Sequence, residues 1–209
     1  MLLRSLSFIC LFLTLSTQAL DRSQIAADAE SVTPLLNGQM VPDVTLQSPQ
    51  GKPVKLLELI AQKPTVILFY RGGWCPYCNA QLAGFQEVEK KLIAMGYQIL
   101  AISPETPARL MEQKFDTDYK VTQLSDVQLE ATREFGIGFF LDDNTASRYR
   151  GKMGEVFASL PGDERIVLPV PAAYIVDTSG LIQFQYVNPN YKVRVNPELM
   201  VHAARMALE

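Results

Sequence analysis

Histidine and tryptophan each occur once, at His202 and Trp74, and cysteine only at positions 10, 75 and 78. A structural zinc site draws four ligands from Cys, His and carboxylate side chains. One cysteine pair and one distant histidine leave such a site short of ligands, so no metal is expected. His202 has no acidic or cysteine residue beside it and reads as a solvated helix residue, not a catalytic base. Basic clusters are also missing. The formal charge of −3, with lysine and arginine scattered along the chain, argues against nucleic acid as a partner.

The N-terminus differs from the rest of the chain. Met1-Leu2-Leu3-Arg4 gives a short basic start, Ser5 to Ser16 is apolar and uncharged, and Thr17-Gln18-Ala19 places small residues at the −3 and −1 positions. That pattern predicts a secretory signal peptide over 1–19, cut near Ala19, and export to a periplasm or the exterior. The apolar stretch is too short for a comfortable membrane span. Residues 20–41 then form an N-terminal extension, and 42–209 a domain with a sizeable core. Loss of the leader removes Cys10 and leaves Cys75 and Cys78 as the whole thiol complement of an oxidising compartment.

Those two cysteines lie in Tyr70-Arg71-Gly72-Gly73-Trp74-Cys75-Pro76-Tyr77-Cys78. An apolar run rich in β-formers, Thr65–Tyr70, leads in, and a helical pattern, Asn79–Met95, leads out, with Leu82, Phe85, Val88, Leu92 and Met95 along one side. Strand, glycine turn, Cys-x-x-Cys, helix is the order. Cysteines three apart at a helix start can close a small disulfide ring. Unpaired backbone N–H groups and the helix dipole there favour a thiolate, the reactive form of cysteine. A disulfide this local restrains little chain entropy, so redox chemistry is a better reason for it than stability. Cys75 is expected to titrate below a free thiol, with Arg71 as a contributing cation.

Elsewhere, Ser23–Leu36 has weak helical periodicity, and 43–46 and 53–56 flank a Ser48-Pro49-Gln50-Gly51 turn as a hairpin. Leu57–Ala61 reads as a helical turn. Tyr97–Ser103 predicts a second buried strand, Glu105–Tyr119 a helix with Leu110, Lys114 and Phe115 inward, Val121–Leu124 a strand and Leu129–Phe135 a short helix. Alternation of this kind implies parallel strands with helices across them. The span 138–168 breaks the rhythm and is expected to be an insertion with a partial helix near 145–160, covering one end of the sheet or contacting substrate. Ala172–Asp177 and Leu181–Val187, around Thr178-Ser179-Gly180, form a hairpin, and Pro197–Leu208 a final helix.

This succession, with Trp74-Cys75-x-x-Cys78 and with Pro171 ahead of the hairpin, resembles the thioredoxin fold: α/β, a central mixed sheet flanked by helices. In that fold a cis-proline packs beside the cysteines, which makes Val170–Pro171 the cis candidate. The phrases FYRGGWCPYC, ISPET and AAYIVDTSGLIQF are similar to the peroxiredoxin-like branch, the alkyl hydroperoxide reductase/thiol-specific antioxidant (AhpC/TSA) group. Aligned on Tyr70, the resemblance puts the peroxidatic position at Cys78. Arg71 and Cys75 then stand where that group carries proline and threonine, and Pro171 stands where it carries an activating arginine. Pro76-Tyr77 also occurs in glutaredoxins, but the length, insertion and leader fit that family poorly.

The framework thus resembles a peroxiredoxin and the local chemistry a thioredoxin. The first reading is thiol–disulfide exchange, with Cys75 as an exposed nucleophile on a protein disulfide, Cys78 resolving, and Trp74, Tyr77, Pro76, Arg71 and Pro171 shaping the site. The alternative is a hydroperoxide reductase in which Cys78 becomes a sulfenic acid and Cys75 resolves it. A third reading is a binding module with an idle dithiol. Both enzymatic readings need no cofactor, end at a Cys75–Cys78 disulfide, and require an external thioredoxin-like or other dithiol reductant.

Overall fold

A computed structural model describes residues 24–113, 119–154 and 156–208. The predicted leader, and Lys114 and Phe115 of the predicted second helix, lie outside these residues. The chain runs from a single 3-10 turn (Ala29–Ser31) through β1 (Thr45–Gln47), β2 (Pro53–Lys55), α1 (Leu56–Ile60), β3 (Thr65–Phe69), α2 (Pro76–Ala94) and β4 (Gln98–Ser103). It continues with α3 (Pro107–Glu112), β5 (Val121–Ser125), α4 (Glu130–Glu134), β6 (Gly138–Phe140), α5 (Asp143–Met153) and β7 (Val167–Pro169). The last elements are β8 (Ala172–Val176), β9 (Ile182–Val187) and α6 (Pro197–Met206).

Seven strands form one mixed sheet in the order β2-β1-β5-β4-β3-β8-β9, with β3, β4 and β5 parallel and β8 antiparallel to β3. Side chains alternate across a strand, so β3 feeds two cores. Val66, Leu68 and Tyr70 join Leu82, Phe85 and Leu92 of α2 and Met200 of α6 on one face. Ile67 and Phe69 join Phe135, Ile137 and Tyr174 on the other. Burial of β3 on both faces explains its unbroken apolar run. The cysteine pair sits in the first of these cores, where α2 begins at the carboxyl end of β3.

Several expectations change. The Ser23–Leu36 periodicity yields only the 3-10 turn, because this segment is held from outside: Ala26 N–H bonds Gly138 O, Thr33 N–H bonds Gly136 O and Leu35 N–H bonds Phe135 O. The helix after Ser103 starts at Pro107, capped by Thr106, and stops at Glu112, so it is shorter than its pattern. The 138–168 span is more ordered than expected. β6 and β7 pair in a separate two-stranded sheet, and α5 is capped by the Asp142 carboxylate accepting from Thr145 N–H. No peptide bond is cis among the described residues, which corrects the expectation for Val170–Pro171. Val170 N–H bonds Ile137 O and Pro171 O accepts from Asn188 N–H, so the chain passes extended from β7 to β8 through an ordinary trans amide.

Candidate active site

The turn that delivers Cys75 is built on glycine. Gly72 has φ +142°, and a Cβ there would lie 2.5 Å from Trp74 Nε1 and 2.7 Å from Glu105 Cδ. Glu105 secures the turn by accepting from Gly73 N–H at 2.8 Å and from the Gln113 side chain. Gln113 in turn accepts from Tyr70 Oη–H at 3.0 Å. Burial raises the Glu105 pKa, opposed chiefly by the Gly73 N–H. The role of Glu105 and Gln113 carries no local signal in the sequence, since an acid after a strand normally reads as a helix-start residue.

Cys75 is the N-cap of α2 and Pro76 occupies its first turn, where the missing N–H costs nothing. Cys78 N–H and Asn79 N–H both bond Cys75 O, at 3.0 and 3.1 Å, and Cys75 uses no sulfur to cap the helix. The two cysteines are not joined to each other here and both are buried, Cys75 2% exposed and Cys78 0%. This corrects the expectation of an exposed Cys75. Trp74 closes one side by stacking edgewise on Tyr149 and Phe157 of the 138–168 segment, at centroid distances of 5.3 and 5.5 Å. Tyr77, more exposed, meets Tyr191 edgewise at 5.5 Å.

A cation in reach of both sulfurs is one that sequence reasoning missed. Arg194 Nη2 lies 3.4 Å from Cys78 Sγ and 4.0 Å from Cys75 Sγ, while Nη1 donates to Gln81 Oε1 at 2.9 Å. It comes from the loop between β9 and α6, whose start is tied to Pro171 by the Asn188 N–H and whose end is fixed by buried Val195 and the Asn196 cap of α6. Arg71 is buried at 4% exposure, with its guanidinium 4.2 Å from the Tyr191 ring centroid and 5.6 Å from that of Phe139.

The sulfurs differ in charge. The Cys78 S–H donated to Cys75 lowers the Cys75 pKa to about 6 against opposing burial, helped by the Cys78 backbone N–H, Arg194 and Arg71. Burial pushes the Cys78 thiol up, and the neighbouring Cys75 adds to this. Arg194 stands nearer Cys78, yet Cys75 loses its proton first, because Cys78 is the more deeply desolvated and supplies the hydrogen bond. At neutral pH the pair therefore holds one thiolate, at Cys75, beside one thiol. His202 is exposed on α6, as expected of a solvated residue.

Comparison with known proteins agrees with this architecture. The chain is 29% identical over 153 residues to peroxiredoxin Q, chloroplastic, of Arabidopsis thaliana, a match covering 72% of this chain and 59% of that one. It therefore spans about three-fifths of that relative's length. It is 30% identical over 106 residues to a putative peroxiredoxin bcp of Haemophilus influenzae, covering 51% of this chain and 68% of that one. In fold it is similar to peroxidoxin BcpB from Mycobacterium tuberculosis (TM-score 0.60, 18% identity, 81% and 96% of the two chains). Peroxiredoxin 5 from Alvinella pompejana superimposes likewise (TM-score 0.63, 17% identity, 83% and 99%). The profile of the AhpC/TSA family matches residues 37–185, which runs from before β1 into β9 and takes in the cysteine pair and the 138–168 segment; the chain belongs to that family.

Proposed function

We propose that the Cys75–Cys78 pair reduces hydroperoxides and is returned to the dithiol by an external dithiol protein of thioredoxin type. The observation that carries this is burial: with Cys75 2% exposed, a hydroperoxide is small enough to reach the sulfur as it stands, whereas any protein, a disulfide substrate or the later reductant, needs the site to open first. Family membership and the peroxiredoxin relatives support the same choice over general disulfide exchange.

The Cys75 thiolate attacks the hydroperoxide oxygen, the O–O bond breaks, and Cys75 becomes a sulfenic acid. The departing alkoxide takes the Cys78 proton and leaves as alcohol. Cys78, now a thiolate beside Arg194, attacks the Cys75 sulfur; hydroxide departs, is protonated to water, and the disulfide forms. This order reverses the one drawn from alignment on Tyr70, in which Cys78 attacks first. The closer approach of Arg194 to Cys78 favours that second reading. Cys75 and Cys78 are the only cysteines after position 10, so reducing equivalents must come from another molecule. Export behind the 1–19 leader would place this cycle outside the cytoplasm.

Trp74, the only tryptophan, adjoins Cys75, so its fluorescence is the probe of Cys75 oxidation. Stopped-flow fluorescence of the reduced protein should show hydrogen peroxide reacting far faster than it does with free cysteine. Insulin disulfide reduction in the same buffer should stay at its uncatalysed rate. The opposite pattern would overturn the peroxide reading in favour of disulfide exchange.

A further inference from the structure

Beside the cysteine pair, a cavity of about 650 Å³ opens between β6, α5 and the loop after β9. Its walls combine Phe139, Leu141, Tyr149 and Tyr191 with Arg71, whose charge also acts on Cys75, and with Arg148 and Lys152. Arg71 is the anomaly. Although only 4% exposed, it forms no salt bridge, and its Nε meets no hydrogen-bond acceptor, among the described residues. Two aromatic rings face it in place of a carboxylate. A desolvated guanidinium is costly unless an anion pairs with it.

The acidic residues lining the cavity do not serve. Asp142 and Asp28 spend an oxygen each capping Thr145 N–H and Ser31 N–H, and Glu30 is exposed. We infer that this cavity binds an organic carboxylate, its headgroup on Arg71 and its apolar body along Phe139, Leu141 and Tyr191. A guanidinium receives a carboxylate bidentately. Aromatic and aliphatic walls suit an apolar tail better than a small hydrated ion. A single negative charge fits better than two, because the Cys75 thiolate already contributes to the field at Arg71. This inference does not depend on peroxide turnover. It does carry a redox consequence: the dithiol form holds a thiolate near Arg71 and the disulfide form does not, so the disulfide form binds the carboxylate more tightly.

Octanoate serves as the probe, in calorimetric titrations of the full chain after diamide oxidation and after reduction. The oxidised protein should bind octanoate saturably, and the reduced protein about tenfold more weakly at pH 8, the effect of one nearby charge in a half-solvated site. Octanol and inorganic phosphate should each bind at least about tenfold more weakly than octanoate, the loss expected for removing the charged partner or the tail. Arg71→Gln should abolish the preference for octanoate over octanol. Equal binding of octanol, tighter binding of phosphate, equal affinity of the two redox forms, or no saturable binding to the oxidised protein would each overturn the inference. Should Arg71→Gln not fold, the guanidinium signal of Arg71 in the unsubstituted protein reads the same contact. It should move on octanoate addition and stay still with octanol, and a stationary signal with octanoate would equally overturn the inference.

Discussion

The site has two halves of different origin. One is local: β3, the Gly72-Gly73 turn and the start of α2 bring Tyr70, Trp74, Cys75 and Cys78 together within nine residues of sequence. The other is distant: Arg194 and Tyr191 arrive from the loop before α6, and Tyr149 and Phe157 from the 138–168 segment, after the chain has crossed the sheet. The local half supplies nucleophiles and the distant half supplies charge and cover. A Cys-x-x-Cys at a helix start announces redox chemistry, but its surroundings decide which substrate can reach it.

If the distant half sets the reactivity, Arg194→Met should slow peroxide oxidation roughly a hundredfold, the scale of losing one preorganised charged donor. The Cys75 pKa should rise, and Arg194→Lys should restore part of both. An unchanged alkylation profile against pH would show that the local half, the Cys78 S–H and the helix start, activates the thiolate without Arg194.

A second test is pH itself. The peroxide rate should fall about tenfold per unit below the Cys75 pKa of about 6 and level off above it. Stability changes with it by linkage. The lowered pKa of Cys75 contributes stability that is full above the unfolded thiol value of about 8.5 and is lost as pH falls through the folded value. Cys78, pushed up, acts in the opposite sense, its contribution declining as pH rises past the unfolded value. Denaturation of the reduced protein should therefore show a maximum near pH 8.5 from this pair, about where the two trends meet. The disulfide form should lack that dependence.

Within the local half, Gly72→Ala should destabilise the fold by about 1–3 kcal/mol, from a positive φ and a Cβ placed against Trp74 and Glu105. A urea midpoint equal to that of the parent protein would show that the turn relaxes freely. The smallest effect belongs to the cover. Phe157→Ala removes one edge contact on Trp74, worth about 0.5–1.5 kcal/mol. It should shift Trp74 emission to the red and leave the hydrogen peroxide rate within a few-fold of the original. A large loss of rate would make the 138–168 segment part of the chemistry instead of its covering.

The same division explains how much is legible in the sequence. β3, α2, β4 and the β8–β9 hairpin declare themselves through buried runs and glycine stops, and the cysteine pair through its spacing. Arg194 has no such signature: a lone arginine in a polar loop looks solvated until the fold turns it onto two sulfurs. Arg71 adds to the field at Cys75 only after Arg194, and rings occupy its near faces. Pro171 stands before β8 as its sequence position suggests, but its peptide bond is trans, because hydrogen bonds on both sides hold the chain extended. The Ser23–Leu36 segment misleads through its apolar spacing, which serves contacts with the Phe135–Gly138 stretch and not a helix.

In the proposed cycle Cys75 is the resting thiolate and attacks the peroxide first. Single-cysteine variants test it by mass spectrometry after a brief pulse of hydrogen peroxide with a dimedone trap. Cys78→Ser should accumulate trapped sulfenic acid on Cys75 rapidly, and Cys75→Ser should label Cys78 only slowly, since that thiol keeps its proton. Fast labelling of Cys78 in Cys75→Ser, with Cys75 inert in Cys78→Ser, would contradict the account and make Cys78 the attacking residue.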